Sequence, residues 1–423
     1  MIEKFLYYVW QHKKMDSFQL ETTQHEPLEI LSVGILNLNS GPDFFNGRLR
    51  INDQLWAGNI EIHVKSSDWF IHNHEQDPAY DNVILHVVYE HDTEIYRKDN
   101  TSIPTLELKT IIDKDLLAKY YSLFTEKNKW IYCENDFATV SNFTLTNWLE
   151  RLYFERLEQK AKTIELWLQA SKNDWEAVLF KLLAKNFGLK VNGEAFLGMA
   201  KSIDFSVVRK SQTKLEDLEA LFFGQAGLLN EAGNEAYYDQ LKRDYQFLKQ
   251  KFKLQDQTAV QLQFFRLRPP NFPTIRLSQL AHLYHKEQQL FSKVMAIETL
   301  NDFYQLFQVP ASSFWETHYN FGNASKKSIK KLSKSFIDLL LINTIIPLKF
   351  CYAKHNGVDM NEAILEIMSV IPSEKNNIIK GFNRLKPVSK SAMQSQALIQ
   401  LKAHYCDKHQ CLNCAIGNSL LSK

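Results

Sequence analysis

The first third of the chain alternates apolar and polar residues with a period of two, which predicts β-strands. Three stretches carry this pattern, and they read LRIND, LWAGNIEIHVK and NVILHVVYE. Asn52-Asp53 ends the first stretch and predicts a tight hairpin turn. The third stretch is almost continuously apolar, which is typical of a central strand covered on both faces. The segment MIEKFLYYVW and residues 114–127 predict helices that could cover this sheet.

Beyond about residue 140, apolar residues recur at helical spacing with charged residues between them. The predicted helices lie in the runs FTLTNWLERLYFERLEQKAKTIELWLQ, DWEAVLFKLLAKNFG, KLEDLEALFFGQAGLL, EAYYDQLKRDYQFLKQKFK, TIRLSQLAHLYHK and SKSFIDLLLINTIIPLKF. We therefore predict two parts. An α/β domain with a mixed sheet flanked by helices covers residues 1–135, and an all-helical domain with a cysteine-rich tail covers residues 136–423.

Net charge, apolar stretches and cysteine content restrict the partners and the cellular compartment that we expect for the protein. The net charge is +2, so the chain has no global basic field, and contact with nucleic acid would need a local patch. Asp338, Asn343 and Pro347 interrupt the longest apolar stretch, so we expect no membrane span. Five cysteines, three of them crowded at the C-terminus, form no even disulfide framework. A reducing cytoplasm fits this pattern best.

Acidic and basic side chains are aligned along the predicted hairpin. Asp43 begins the first strand, while Glu61, His63 and Lys65 share one face of the second strand because side chains alternate with a period of two. Cross-strand neighbours lie only about 5 Å apart. Two carboxylates at that separation could hold Mg²⁺, and a nearby polar group could orient an attacking water.

The run Pro42-Asp43, then 17 residues, then Glu61-Ile62-His63 resembles the signature of the PD-(D/E)XK nuclease superfamily. The resemblance implies a restriction-endonuclease-like mixed sheet and Mg²⁺-dependent cleavage of DNA or RNA. It also implies that Asp43, Glu61 and the carbonyl of Ile62 ligate the metal. His63 departs from the signature because it stands where the superfamily has the Lys that orients the water. A neutral His lacks that fixed charge, although it can act as a general base or bind a transition metal, and Lys65 could partly substitute.

A second set of distinctive runs extends along nearly the whole chain. These runs are GPDFFNGRLRI, WAGNIEIHVKSSDW, DPAYDNVILHVVYEHD, EALFFGQAGLL, FRLRPPNFPTIRL, THYNFG, INTIIP and YCDKHQCLNCAIGN. Together they resemble a bacterial family of uncharacterised proteins. This full-length resemblance implies no known activity.

Three functions therefore stay open. The first is the Mg²⁺-dependent nuclease, and the second is an inactive nuclease-like fold that binds nucleic acid or a protein partner. The third is a histidine-rich metallohydrolase acting on a small molecule, because five histidines crowd one region: His63, His72, His74, His86 and His91. His72 and His74 form either a transition-metal site or an exposed polar loop. His86 interrupts an apolar run, so it needs a buried partner such as Glu61, His63 or Asp68.

The segment FFRLRPPNFPTIRL is a candidate nucleic-acid contact. Its prolines could stiffen the chain and present Arg266, Arg268 and Arg276 to phosphates. Phe272 could stack on a base. The alternative is an interdomain loop whose arginines pair with acidic helices.

The C-terminal run HYCDKHQCLNC has the spacing of a metal site. Cys411 and Cys414 are separated by two residues, and Cys406 with His409 or His404 could complete a Cys₃His zinc site. Three thiolates with Cys133 or Cys351 could instead hold a [4Fe–4S] cluster. The third alternative is three free thiols.

Overall fold

The computed structural model describes residues 3–125, 129–230, 233, 235–255 and 261–422. The chain divides into two compact units: Met1–Trp148 together with Lys402–Lys423, and Leu149–Leu401. The predicted boundary after residue 135 lies inside the first unit, and the cysteine-rich tail also belongs to this unit. Aromatic contacts tie the tail to residues 129–148, since the ring of Tyr405 lies 5.2 Å from that of Trp148.

A mixed six-stranded sheet forms the centre of the described part of the first unit, as the sequence predicts. Its strands are β1 (Leu28–Ser32), β2 (Ile35–Leu36), β3 (Phe44–Ile51), β4 (Gln54–Lys65), β5 (Val83–Glu90) and β6 (Thr105–Glu107). The order is β1-β3-β4-β5-β6, with β2 paired to β3. The β1–β3 and β3–β4 pairs are antiparallel, whereas β5 runs parallel to both β4 and β6.

The β3–β4 connection is the tight hairpin turn that the sequence predicts. Asn52 and Asp53 both have positive φ, 47° and 64°, as a type I′ turn requires. The β3–β4 register shifts between Phe44 and Gly47 because of a β-bulge, and Phe44 lies opposite Ile60. One further step in this register places Asp43 opposite Glu61. Bulges of this kind commonly re-aim side chains beside functional sites.

Helices make up most of the remaining described structure. They are α1 (Glu3–Gln11), α2 (Asp68–Ile71), α3 (Lys114–Thr125), α4 (Asn142–Ala170), α5 (Trp175–Phe187), α6 (Leu189–Ser202), α7 (Phe205–Ser211), α8 (Leu215–Gln225), α9 (Ala236–Phe252), α10 (Pro273–Lys286), α11 (Leu290–Ala296), α12 (Leu300–Leu306), α13 (Lys334–Leu340), α14 (Ile346–His355), α15 (Asn361–Val370), α16 (Asn377–Leu385), α17 (Ala392–Gln400) and α18 (Ala415–Leu421). The sequence correctly predicts α1, α3, α4, α5, α8, α9, α10 and the stretch from α13 to α14, whereas it misses the 14-residue helix α6. Helix α1 packs on β4, and the first six residues of β5 are buried on both faces.

The second unit is mostly helical, and the prediction of an all-helical part needs one correction. Two short antiparallel strands, β7 (His318–Asn320) and β8 (Asn323–Ala324), form a small hairpin in the run THYNFG. Gly322 has a positive φ of 84° there, a conformation that glycine adopts without steric cost. A hairpin this short is invisible to a periodicity argument, because it spans too few residues to show alternation.

The longest apolar helical stretch lies inside the second unit. Within the described residues, Lys334–His355 is the stretch long and apolar enough to cross a membrane by length and composition alone. A π-helical turn at Leu341–Ile345 precedes Pro347 and joins α13 to α14. Most of the stretch is buried within the protein, where its side chains pack as those of a core helix do.

Candidate metal centre

Asp43 and Glu61 face each other at the end of the β3–β4 pair. The backbone N–H of Asp43 donates to Oε2 of Glu61 at 3.1 Å, and the N–H of Ile62 donates to Oδ2 of Asp43 at 2.9 Å. The hydroxyl of Tyr7, on α1, donates to Oδ1 of Asp43 at 2.5 Å. Both carboxylates are therefore held side by side, and Glu61 is only 4% exposed.

Two histidines face the free oxygen of Glu61, and two more contact His63. Oε1 of Glu61 lies 3.5 Å from Nε2 of His63 and 3.3 Å from Nε2 of His74. Nδ1 of His72 lies 3.1 Å from Nε2 of His63. On the other side of the His63 ring, Nδ1 lies 2.8 Å from Nε2 of the fully buried His86. His63 is thus the buried partner that the sequence argument required for His86.

The ligand atoms of His63, His72 and His74 all lie within 4.8 Å of one another. With metal–nitrogen bonds of about 2.0–2.1 Å, the ligand atoms of a tetrahedral zinc site lie about 3.4 Å apart. The distances from Glu61 to His63 and His74 match that separation. The site can therefore accept one ion after small side-chain adjustments.

The local fold explains why His72 and His74 return to β4. Helix α2 begins directly after β4, where the side chain of Asp92 accepts from the N–H and the hydroxyl of Ser67. Asn73 then takes a left-handed conformation with φ of 58°, which reverses the chain between the two histidines. The His74 ring stacks on Tyr80 with a centroid distance of 3.8 Å. These contacts set the positions of both rings.

Burial controls the charges of the cluster. It raises the pKa of Asp43 to about 7, with the nearby Glu61 adding to the rise and the Tyr7 hydrogen bond opposing it. It also raises the pKa of Glu61 to about 8. Burial, with the neighbouring His74 and His72, lowers the pKa of His63 to about 3. Near neutral pH, Glu61 is mostly protonated, Asp43 is about half protonated and His63 is uncharged. A bound cation would displace these protons and compensate the charge of the two carboxylates.

The sequence analysis missed two residues on α1 that face this cluster. Glu3 and Tyr7 are four apart, and therefore lie on the same side of the helix. Burial raises the pKa of Glu3, while the nearby His72 and His74 lower it. Their spacing was the signal available in the sequence, but nothing in the sequence alone paired that face with β4.

Ile62 lies between Glu61 and His63 on β4, and Lys65 is the last residue of that strand. Ile62 contacts Asp43 through its N–H, and it pairs with Val87 in the β4–β5 ladder. Lys65 is exposed and pairs with Glu90, and its charge lowers the pKa of Glu90 and Asp92. These contacts place the side chain of Lys65 next to the acidic end of β5.

The arginine-rich segment lies in the second unit. Arg268 is exposed, and Arg266 is exposed beside the ring of Phe265. Arg276 is only 6% exposed on α10, where its guanidinium donates to Gln279 and Asn271 and lies over the ring of Phe336. As placed, Arg276 supports the fold and does not reach a phosphate. Phe272 is half-buried and packs edge-on against Phe264 and Tyr319.

The tail cysteines lie in the first unit with Cys133 nearby. Cys414 and Cys133 are buried, whereas Cys406 and Cys411 are half-buried. His409 is exposed, with φ of 56°. Cys351 lies in the second unit, where its thiol is 3.9 Å from the carbonyl oxygen of Ala161. The sequence alone leaves Cys133, Cys351, His404 and His409 as alternatives for the fourth ligand.

The fold and the site define a protein with a mixed α/β unit, a mostly helical unit and a buried carboxylate–histidine cluster. The chain belongs to the family described as protein of unknown function DUF2851, whose model matches residues 3–377. This match confirms the full-length resemblance, and it carries no activity. Searches of the curated proteins and of the solved structures gave no match. The nuclease resemblance therefore stays a prediction.

Proposed function

We propose that the protein is a metal-dependent phosphodiesterase that cleaves DNA or RNA. The observation that carries the proposal is the position of Glu61 Oε1, which faces Nε2 of both His63 and His74 beside the paired carboxylate of Asp43. Carboxylate oxygens and imidazole nitrogens at these separations are the ligands that metal-dependent hydrolases use.

The donor chemistry favours a transition metal over Mg²⁺. Mg²⁺ takes oxygen ligands, whereas imidazole suits zinc, iron and related ions. Asp43 and Glu61 alone would suit Mg²⁺, as the nuclease resemblance implies, but His63 and His74 face the same oxygen of Glu61. We propose that Glu61, His63, His72 and His74 hold the ion and that Asp43 lies beside it. When bound, such an ion supplies Lewis-acid polarisation of a phosphoryl oxygen and lowers the pKa of water.

The remaining side chains fix protons at defined atoms. Ligation through Nε2 of His63 requires the proton of that ring on Nδ1, from which it donates to Nε2 of His86. His86 is thus a positioning residue that sets the tautomer of His63. Asp43, whose pKa is about 7, can accept a proton from an attacking water near neutral pH. The Tyr7 hydroxyl donates to Asp43 and holds its carboxylate in place.

The substrate class rests on the PD-(D/E)XK resemblance and on the sheet that presents the two carboxylates. The mixed sheet with a helix packed on β4 is the architecture that this resemblance implies. Arg266 and Arg268 are exposed and available to phosphates. The five cysteines all lie in the described residues and form no disulfide. We place the protein in a reducing cytoplasm.

The test is hydrolysis by the purified full chain after metal removal and reconstitution with Zn²⁺, Mn²⁺ or Mg²⁺. Single- and double-stranded DNA, RNA and a chromogenic phosphodiester are the substrates. We expect cleavage with a transition metal and a loss of at least about 100-fold in Glu61→Gln and His74→Ala. Glu29→Gln and His25→Ala are matched controls, because both side chains are exposed on the same unit and should leave activity unchanged.

The other possible results distinguish the alternative functions. Nucleic-acid binding without cleavage by any metal-loaded form would indicate an inactive nuclease-like fold. Hydrolysis of the small chromogenic ester, without cleavage of nucleic acid, would indicate a metallohydrolase for small molecules. Cleavage that persists in Glu61→Gln would exclude this site as the centre of the activity.

A further inference from the structure

A second cluster of possible metal ligands lies in the first unit, where residues 129–137 meet residues 402–422. The ring of Tyr132 lies 5.0 Å from the ring of His409, and Nζ of Lys402 lies 5.4 Å from the ring centroid of Trp130. Residues on both sides of Cys133 therefore contact the tail. The tail cysteines, defined as Cys406, Cys411 and Cys414, lie in that tail.

The four thiols are close enough to affect one another. Burial raises the pKa of Cys133, and the nearby thiols of Cys414 and Cys411 raise it further. Burial raises the pKa of Cys406, and the thiols of Cys133 and the other tail cysteines add to the rise. Burial and the nearby thiol of Cys414 raise the pKa of Cys411 to about 12. Burial thus disfavours each free thiolate, whereas a metal ion bound among the four sulfurs would stabilise all four thiolates.

The backbone holds these cysteines in place. The N–H of Cys414 donates to the carbonyl of Cys411 at 3.2 Å, and a Cβ at Gly417 would collide with that same carbonyl. The carbonyl of Cys133 accepts from the N–H groups of Asp136 and Phe137 at 3.1 and 2.8 Å. Both cysteine-bearing turns are thus fixed by main-chain hydrogen bonds.

N–H groups lie near one of these sulfurs. Burial raises the pKa of the Cys414 thiol, which is 6% exposed, whereas the nearby N–H groups of Ile416 and Gly417 and the indole of Trp148 lower it. N–H groups close to a sulfur favour its thiolate form, which is the form that ligates a metal.

We propose that the first unit contains a structural metal centre held by four cysteine thiolates: Cys133 and the three tail cysteines. The metal is thiophilic, either one zinc ion or one iron–sulfur cluster, and binding releases the four thiol protons to solvent. The centre joins the loop at residues 129–137 to the C-terminal segment. His409 is not a ligand, because it is exposed while Cys133 is buried among the tail cysteines. This inference is independent of the hydrolase proposal.

The test uses the full chain, purified without oxygen and without chelator. About one zinc per chain, with a thiolate-to-cobalt charge-transfer band after Co²⁺ replacement, identifies a zinc site. About four irons per chain with a brown colour identify a [4Fe–4S] cluster. Either result supports the proposal, provided that Cys133→Ser loses this metal while Cys351→Ser and His409→Ala keep it. The cobalt band separates thiolate ligation from any metal held by the histidine cluster.

A second measurement covers the case in which Cys133→Ser does not fold. Native wild-type protein is alkylated with and without a chelator, and the modified cysteines are identified by mass spectrometry. We expect Cys133 and the tail cysteines to be protected together and to react together after chelation. Protein without thiolate-bound metal, four thiols that react equally in both conditions, or a folded Cys133→Ser variant that keeps the metal would each overturn the proposal.

Discussion

Asp43 and Glu61 are locked to each other through the main chain: Asp43 donates its N–H to Glu61 Oε2 at 3.1 Å, while Asp43 Oδ2 accepts the N–H that follows Glu61 at 2.9 Å. The exchange holds the two carboxyl groups together, with Glu61 buried and Asp43 half-buried. Two carboxylates held in this way repel each other unless a proton or a cation intervenes. The chain thus maintains a site that is favourable for a cation.

Stability of the metal-free protein should fall as the pH rises through neutrality. The pKa values of Asp43 and Glu61, about 7 and about 8, exceed those of ordinary carboxyls, so the folded state binds more protons than the unfolded state up to that range. The free energy of unfolding from these groups therefore decreases as the pH rises toward 8. The lowered pKa of His63 opposes this trend only up to about pH 7.5, above which that side chain is almost entirely neutral in both states.

In Glu61→Gln this pH dependence should be reduced. With chelator present, we expect the variant to be more stable than wild type at pH 8 by about 2 kcal/mol, and the difference to shrink toward pH 6.5. Urea unfolding at both pH values measures it. Glu29→Gln, on an exposed carboxylate of β1, should show no such trend. A difference between Glu61→Gln and wild type that is the same at both pH values would show that the Glu61 carboxyl is not the titrating group.

Removing the Tyr7 hydroxyl should shift the pH dependence of metal binding. The hydrogen bond from Tyr7 lowers the pKa of Asp43, so in Tyr7→Phe that pKa rises further. Metal must compete with the proton, and the midpoint of binding should therefore move up by about 0.5–1 pH unit. Metal titrations between pH 6 and 8.5 measure the midpoint. Tyr8→Phe is the control on the same helix, because the Tyr8 hydroxyl lies near Ser422. An unchanged midpoint in Tyr7→Phe would remove Tyr7 from the site.

His86 should affect the metal affinity of the site through its hydrogen bond with His63. Replacing His86 by Leu removes the acceptor for the Nδ1 proton of His63, and we expect about 10–100-fold weaker metal binding. His86→Gln keeps an acceptor and should recover part of the affinity. Competition with a chelating dye measures each dissociation constant, and unfolding curves measure stability separately. Equal affinities in the Leu and Gln variants, with stability reduced in both, would assign His86 a packing role only.

The buried and the exposed arginines in the Phe264–Leu277 region should contribute differently to the free energy of unfolding. Arg276→Met leaves the buried oxygens of Gln279 and Asn271 without their donor and should cost about 2–4 kcal/mol, whereas exposed Arg268→Met should cost less than about 0.5 kcal/mol. Chemical denaturation measures both. Arg268→Glu should instead weaken nucleic-acid binding and reduce its salt dependence. If affinity and salt slope are unchanged in Arg268→Glu, this segment has only a structural role.

Local pattern predicts the strands that carry the site. The period of two along β4 puts Glu61 and His63 on one face, and Asn52-Asp53 identifies the hairpin turn that aligns β3 with it. The β-bulge after Phe44 is not visible in that pattern, although it sets the step that brings Asp43 opposite Glu61. The alternation is a property of neighbouring residues, whereas the bulge depends on how two strands pair.

The rest of the site depends on contacts between distant segments. His74 meets Glu61 and His72 meets His63 because Asn73 reverses the chain, and a polar loop without these contacts would have had the same composition. Similarly, no spacing rule separates Cys133 from Cys351 as a neighbour of the tail. Tertiary packing decides such cases, since each segment taken alone is compatible with either arrangement.

The most direct test of the central claim is anomalous diffraction from crystals of the full chain grown with saturating Zn²⁺ or Mn²⁺. We predict a metal peak about 2.0–2.2 Å from Oε1 of Glu61 and from Nε2 of His63 and His74. The same peak should be absent from crystals of Glu61→Gln. Wild-type crystals that show no peak between Glu61 and these histidines, with the metal saturating, would contradict the claim.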